Sequence, residues 1–85
     1  MASRAHPLLL AIGATIRRER LARGLSQEGL ADAAGVDRSY MSGIERGVRN
    51  ITVLKLHAVA RALGIPAAAL LVEQAGEVRS LRSAR

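Results

Sequence analysis

The chain has 85 residues, 13 of them basic and 7 acidic, for a net charge of +6. That length accommodates one small domain, and pairing with a second copy would bury surface that so short a chain leaves exposed. The absence of cysteine excludes disulfides, thiolate zinc sites and cysteine nucleophiles, and it suits a reducing cytoplasm.

Arg4 and the apolar run from Pro7 to Ala14 have the outline of a short signal peptide. The run lacks a small-x-small cleavage site, and it passes with unchanged apolar spacing into the charged stretch Ile16 to Arg23. It is therefore read as a helix from about Leu8 to Arg23, with Leu9, Ile12 and Ile16 on one face and Gly24 as its stop. Ser26 caps a second helix over Gln27 to Ala34, whose apolar side carries Leu30, Ala31 and Ala34. Gly35, Val36 and Asp37 form the joint, and Asp37 caps a third helix from Arg38 to Arg46. Met41 and Ile44 face inward there, which leaves Arg38, Ser39, Ser42, Gly43 and Arg46 outward. Two short helices with so tight a joint cross steeply.

After a loop from Gly47 to Ile51, Thr52 caps a fourth helix with the core stripe Val53, Leu56, Val59, Ala60 and Leu63. Pro66 suits the first position of a fifth helix through Ala67 to about Ala75. Leu70, Leu71 and Val72 are adjacent on it and span too wide an arc for one core stripe, so they are assigned to a dimer interface. The domain is expected to cover residues 1–78, and the arginine-rich segment 79–85 is read as a frayed end rather than a basic tail. No stretch approaches the roughly 20 apolar residues of a membrane span, so no membrane partner is expected.

A short helix, a glycine turn and a second short helix with a polar outer face form the geometry that sets the second helix in a DNA major groove. Plain helical packing units share this shape. The charge agrees with a polyanionic partner, since every basic residue except Lys55 is an arginine, and its planar fork grips phosphates and guanine edges. A basic but merely solvated surface is the alternative.

The runs Leu25-Ser26-Gln27-Glu28-Gly29-Leu30-Ala31, Ala34-Gly35-Val36 and Ser42-Gly43-Ile44-Glu45-Arg46-Gly47 resemble the Cro/repressor-type, XRE-like helix-turn-helix proteins. The resemblance covers about Ile12 to Ile65, and Asp37 to Asn50 is similar to the controller proteins of restriction-modification systems. It implies an all-α, five-helix domain of the lambda-repressor-like type. It also implies a transcriptional regulator that binds a palindromic operator in double-stranded DNA as a homodimer. Two residues depart from the family pattern: Gly29 stands where a glutamate is usual and Ile51 where a proline is frequent.

At the start of the third helix, Arg38 is placed to pair with guanine O6 and N7, a contact worth about 1–3 kcal/mol of discrimination. Its alternative is a surface arginine, which the helix dipole slightly disfavours. The hydroxyls of Ser39 and Tyr40 suit a base or a phosphate, though Tyr40 equally suits the core. Ser42 shares the outer face, and Gly43 would let the backbone lie close to the groove. The resemblance sets Gln27 against a phosphate at a helix N-terminus, a position that itself favours an anion. Arg46, Arg49 and Asn50 are placed for phosphates or an adjacent groove, with Asn50 alternatively organising the turn. Arg20 continues the stripe of Ile12 and Ile16, and Glu45 adjoins Ile44, so the two charges are paired as a structural salt bridge, as the resemblance also implies.

His6 and His57 are far apart and lack acidic neighbours at metal-ligand spacing. No phosphate loop, catalytic triad or paired carboxylates in an apolar setting occur. The expectation is a protein without catalytic activity, cofactor, metal or small-molecule ligand. The competing reading is a protein-interaction module, antitoxin-like or an adaptor, that keeps the helical scaffold without specific DNA readout.

Overall fold

The computed structural model describes residues 6–71 and forms them into α1 (Pro7–Ala22), α2 (Gln27–Ala34), α3 (Arg38–Arg46), α4 (Val53–Leu63) and a 3-10 turn (Ala67–Leu70). No strand occurs among the described residues. At 8 and 9 residues, α2 and α3 are too short to persist alone. Their ends must be satisfied locally and their inner faces held by neighbours.

The caps do the first of these. Ser26 Oγ accepts from the Gly29 N–H at 2.9 Å, Asp37 Oδ2 from the Ser39 N–H at 2.9 Å, and Thr52 Oγ1 from the Lys55 N–H at 3.2 Å. The start of α1 lies at Pro7, with the His6 imidazole Nδ1 accepting from the Leu8 N–H at 3.0 Å. At the other end of α2, Gly35 turns left-handed with φ of 71°, and the Val36 N–H reaches back to the Ala31 carbonyl at 2.9 Å. That i to i−5 bond closes α2, and the chain passes into α3 three residues later.

Packing does the second. Ile12, Ile16, Leu30, Ala31, Met41, Ile44, Leu56, Val59, Ala60, Leu63 and Leu70 form a single buried cluster. Fully burying each large member is worth about 1.5–3 kcal/mol. α1 packs on α3, α2 bridges α3 and α4, and the 3-10 turn closes the base against α4 and α1. The α1–α3 approach is closer than side chains permit at one point. A Cβ on Gly13 would stand 2.5 Å from the Glu45 carbonyl oxygen and 2.8 Å from its carbon, so only glycine fits.

Two expectations are corrected at the base of the fold. The stretch from Ala67 is one 3-10 turn, not the start of a fifth α-helix, and the remainder of that expected helix lies outside the described residues. Pro66 sits as the extended residue before the turn, where it supplies neither an N–H nor a capping side chain, and the bonds that follow are i to i−3. Leu70, assigned to a dimer interface, is instead completely buried in its own chain's core. The tighter turn carries it beneath α4 and α1, where it fills space that a solvent-facing leucine would leave empty.

Candidate nucleic-acid interface

The outer face of α3 is aimed by a charge buried behind it. Arg20 in α1 donates through Nε to Glu45 Oε2 at 2.6 Å and through Nη2 to Oε1 at 3.0 Å. Its remaining nitrogen, Nη1, donates to the Leu25 carbonyl at 2.8 Å, which fixes the joint between α1 and α2. Gln27 Nε2, on the first residue of α2, adds a further bond to Glu45 Oε1 at 3.0 Å. One carboxylate thus ties together three helices. Burial pushes the Glu45 carboxyl up, but the hydrogen bonds from Arg20 and Gln27, with the charges of Arg20 and Arg17, outweigh it and hold the group below the ordinary glutamate value. The hydrogen bond to Glu45 outweighs burial for Arg20 and raises its pKa further.

The start of α3 is set by Asp37. Its Oδ2 accepts from the Ser39 hydroxyl and from the Ser39 and Tyr40 amides, which together lower the Asp37 pKa. The Ser39 hydroxyl hydrogen is therefore engaged, and its oxygen has lone pairs to offer a donor. Arg38, Ser39 and Arg46 are exposed, and Ser42 is half-buried. Arg46 Nε leans back toward Ser42 Oγ at 3.4 Å, at the edge of hydrogen-bond reach. From Arg38 to Asn50, the only acidic side chain is Glu45, and it is buried.

Two candidate contacts have a different setting from the one expected. Gly43, taken as an open point of close approach, is buried beneath the loop that follows α3. A Cβ there would stand 2.5 Å from Arg49 Cγ and 3.5 Å from Arg49 Cδ. The half-buried Gln27 has one amide hydrogen committed to Glu45, which leaves its other amide hydrogen and its oxygen for a partner. Tyr40 is half-buried against the core, one of its two expected settings, and lies beneath two cations. The Arg49 guanidinium carbon is 5.5 Å, and the Lys55 ammonium 5.9 Å, from its ring centroid. Asn50 is exposed beside a shallow hollow shared with His6, Leu8 and Leu9.

Of the expected dimer residues, Leu71 is exposed and Val72 lies outside the described residues. Larger apolar exposure occurs at the start of α4, where Val53 is 78% and Leu54 80% accessible. Val53, expected in the buried stripe, is instead exposed at the first position of α4. Among the described residues no group of three or more histidine, aspartate or glutamate side chains could hold a metal ion, and no helix is long and apolar enough to cross a membrane.

Comparison with known proteins agrees with this geometry. A helix-turn-helix family model matches residues 16–70. The control protein C.BamHI of Bacillus amyloliquefaciens is 39% identical over 57 residues, which cover 66% of this chain and 70% of that protein. The crystal structure of the restriction-modification controller protein C.AhdI from Aeromonas hydrophila superposes with a TM-score of 0.71 at 45% identity, covering 73% of this chain and 94% of that one. SinR, a master regulator for biofilm formation crystallised in complex with DNA, gives a TM-score of 0.69 at 37% identity, covering 72% of this chain and 98% of its own.

Proposed function

Because the chain belongs to the helix-turn-helix family of transcriptional regulators, we propose that it binds a palindromic operator as a homodimer, in the manner of a restriction-modification controller. In this reading α3 enters the major groove. Arg38 reads a guanine, and Ser39, Tyr40, Ser42 and Gly43 line the approach. Gln27, Arg46, Arg49 and Asn50 hold the flanking backbone or groove. Backbone contacts set the register, and base contacts set the sequence. The protein acts in the cytoplasm by recognition alone, without catalysis.

The observation that carries this reading is the opposition of faces on α3. Met41, Ile44 and Glu45 are buried and pinned from behind, while Arg38 and Arg46 stand exposed at the two ends of a polar front. A helix held so rigidly presents its side chains without a large ordering cost on binding. The two α3 helices of the dimer would lie about 34 Å apart, matching successive major grooves on one side of the duplex. Leu71, with the exposed Val53 and Leu54, supports the pairing of two copies.

Selection of bound duplexes from a random pool at about 150 mM salt tests the proposal, because non-specific charge contacts are weakened there. The expected result is enrichment of a palindrome bound at least about a thousandfold more tightly than a scrambled duplex. Equal, salt-sensitive binding to every sequence would instead favour a protein-interaction module.

A further inference from the structure

The middle of the α3 front lacks a long side chain. Ser39, Ser42 and Gly43 occupy it, and the arginines of the helix itself stand only at its ends, Arg38 and Arg46. The stem of Arg49 crosses this gap from the following loop. It lies where the Gly43 side chain would be, since a Cβ at Gly43 would overlap Arg49 Cγ at 2.5 Å, and the guanidinium rests 5.5 Å from the Tyr40 ring centroid. Arg49 itself is exposed.

We propose that Arg49 is the base-reading side chain that α3 lacks at its centre, seated there by the bare backbone of Gly43 and the face of Tyr40. The inference rests on the operator-binding reading above and deepens it, moving Arg49 from the flanking role given there to the centre of the readout and Tyr40 and Gly43 from the approach to its support. An arginine arriving from a loop loses much conformational freedom when it binds, unless its stem is already laid down. Gly43 provides the floor for the stem, and the Tyr40 ring supplies a cation–π contact for the head. The guanidinium then rests over the Tyr40 ring on an exposed residue, and an arginine fork so placed can pair two-pronged with a guanine edge. Tyr40 and Gly43 are positioning residues in this arrangement, and Arg49 is the residue that touches DNA.

A double-mutant cycle on the selected operator, with a scrambled duplex as control, tests the role. Arg49→Ala is expected to lower operator affinity by about tenfold or more, with a clearly smaller loss on the scrambled duplex. Gly43→Ala is expected to produce a similar loss of discrimination, and the two changes together no more than Arg49→Ala alone, since both act through one side chain. Equal losses on the two duplexes for Arg49→Ala would make Arg49 a phosphate contact, and losses that multiply would separate Gly43 from Arg49. Either result overturns the proposal.

The seat is read independently in the free protein. Nuclear Overhauser contacts between the Arg49 γ-protons and the Gly43 α-protons are expected in the unsubstituted chain and in Tyr40→Phe, and weakened in Tyr40→Leu. Their absence from the unsubstituted protein refutes the seat whatever the DNA results. If no operator is selected at all, the operator-binding reading fails and takes the reading role with it, while these contacts still report whether the seat exists.

Discussion

Arg20 of α1 and Glu45 of α3, 25 residues apart in the chain, share two hydrogen bonds of 2.6 and 3.0 Å in a buried site. Removing one member leaves the other charged and dehydrated. Glu45→Met or Arg20→Met is therefore expected to lower unfolding stability by about 3–5 kcal/mol, whereas the two changes together cost much less than the sum of the single losses. Urea melts of the four proteins check this. Additive losses would mean that the pair is not coupled.

The same carboxylate sets an acid limit. The folded Glu45 pKa lies below its ordinary value of 4.5, so its contribution is fully present above about that pH and is lost as pH falls through the folded value. Asp37, also lowered, acts in the same sense from its cap at α3. The melting temperature is expected to fall on acidification below pH 4.5. The fall should be shallower in Asp37→Asn, whose cap does not titrate. Identical acid profiles for that variant and the unsubstituted chain would remove Asp37 from the account.

Gly13 and Gly43 make a contrasting pair. Alanine at a helical glycine gains about 1 kcal/mol of intrinsic propensity. At Gly13 the new methyl meets the backbone of α3, which cannot move aside, and overpacking of this kind costs about 1–3 kcal/mol. At Gly43 it meets only the movable Arg49 side chain. Thermal melts should show Gly13→Ala destabilised and Gly43→Ala not. The reverse order would contradict this packing.

Arg38 and Arg46 are proposed to make two kinds of contact with DNA. Arg38→Ala is expected to flatten discrimination between operator and random duplex. Arg46→Ala should weaken both about equally and reduce the slope of log affinity against log salt by about 1. Titrations at several salt concentrations distinguish them, and equal losses on both duplexes for Arg38→Ala would end its role as a reader.

Leu70 and Leu54 test folding and the proposed pairing separately. Leu70→Ala hollows the core and is expected to cost about 2–5 kcal/mol. Leu54→Lys is expected to leave the protomer fold intact and, on the proposed dimer, to shift sedimentation toward the monomer. Unchanged association for both Leu54→Lys and Leu71→Lys would place the pairing surface elsewhere.

Much of this fold is readable from local chemistry. Ser26, Asp37 and Thr52 announce their helices because a cap needs only its own next few amides. The Arg20–Glu45 bond is foreseeable because two charges on apolar stripes leave few ways to avoid an unpaired buried ion. The rest depends on what lies across a gap. Gly13 resembles any helical glycine until the Glu45 backbone is placed against it, and Gly43 looks open until the loop folds back. Leu70 was misassigned because three adjacent apolar residues do not reveal how tightly the preceding turn is wound.

The division of α3 into a pinned rear and a free front separates inheritance from invention. Met41, Ile44 and Glu45 belong to the scaffold and resist change. Arg38, Ser39 and Arg46 are exposed and make no contact on which the core depends, Ser39 touching only the Asp37 cap. A lineage can therefore rewrite the front residues and acquire a new target without first refolding, since substitutions at such surface positions usually change stability by less than about 0.5 kcal/mol.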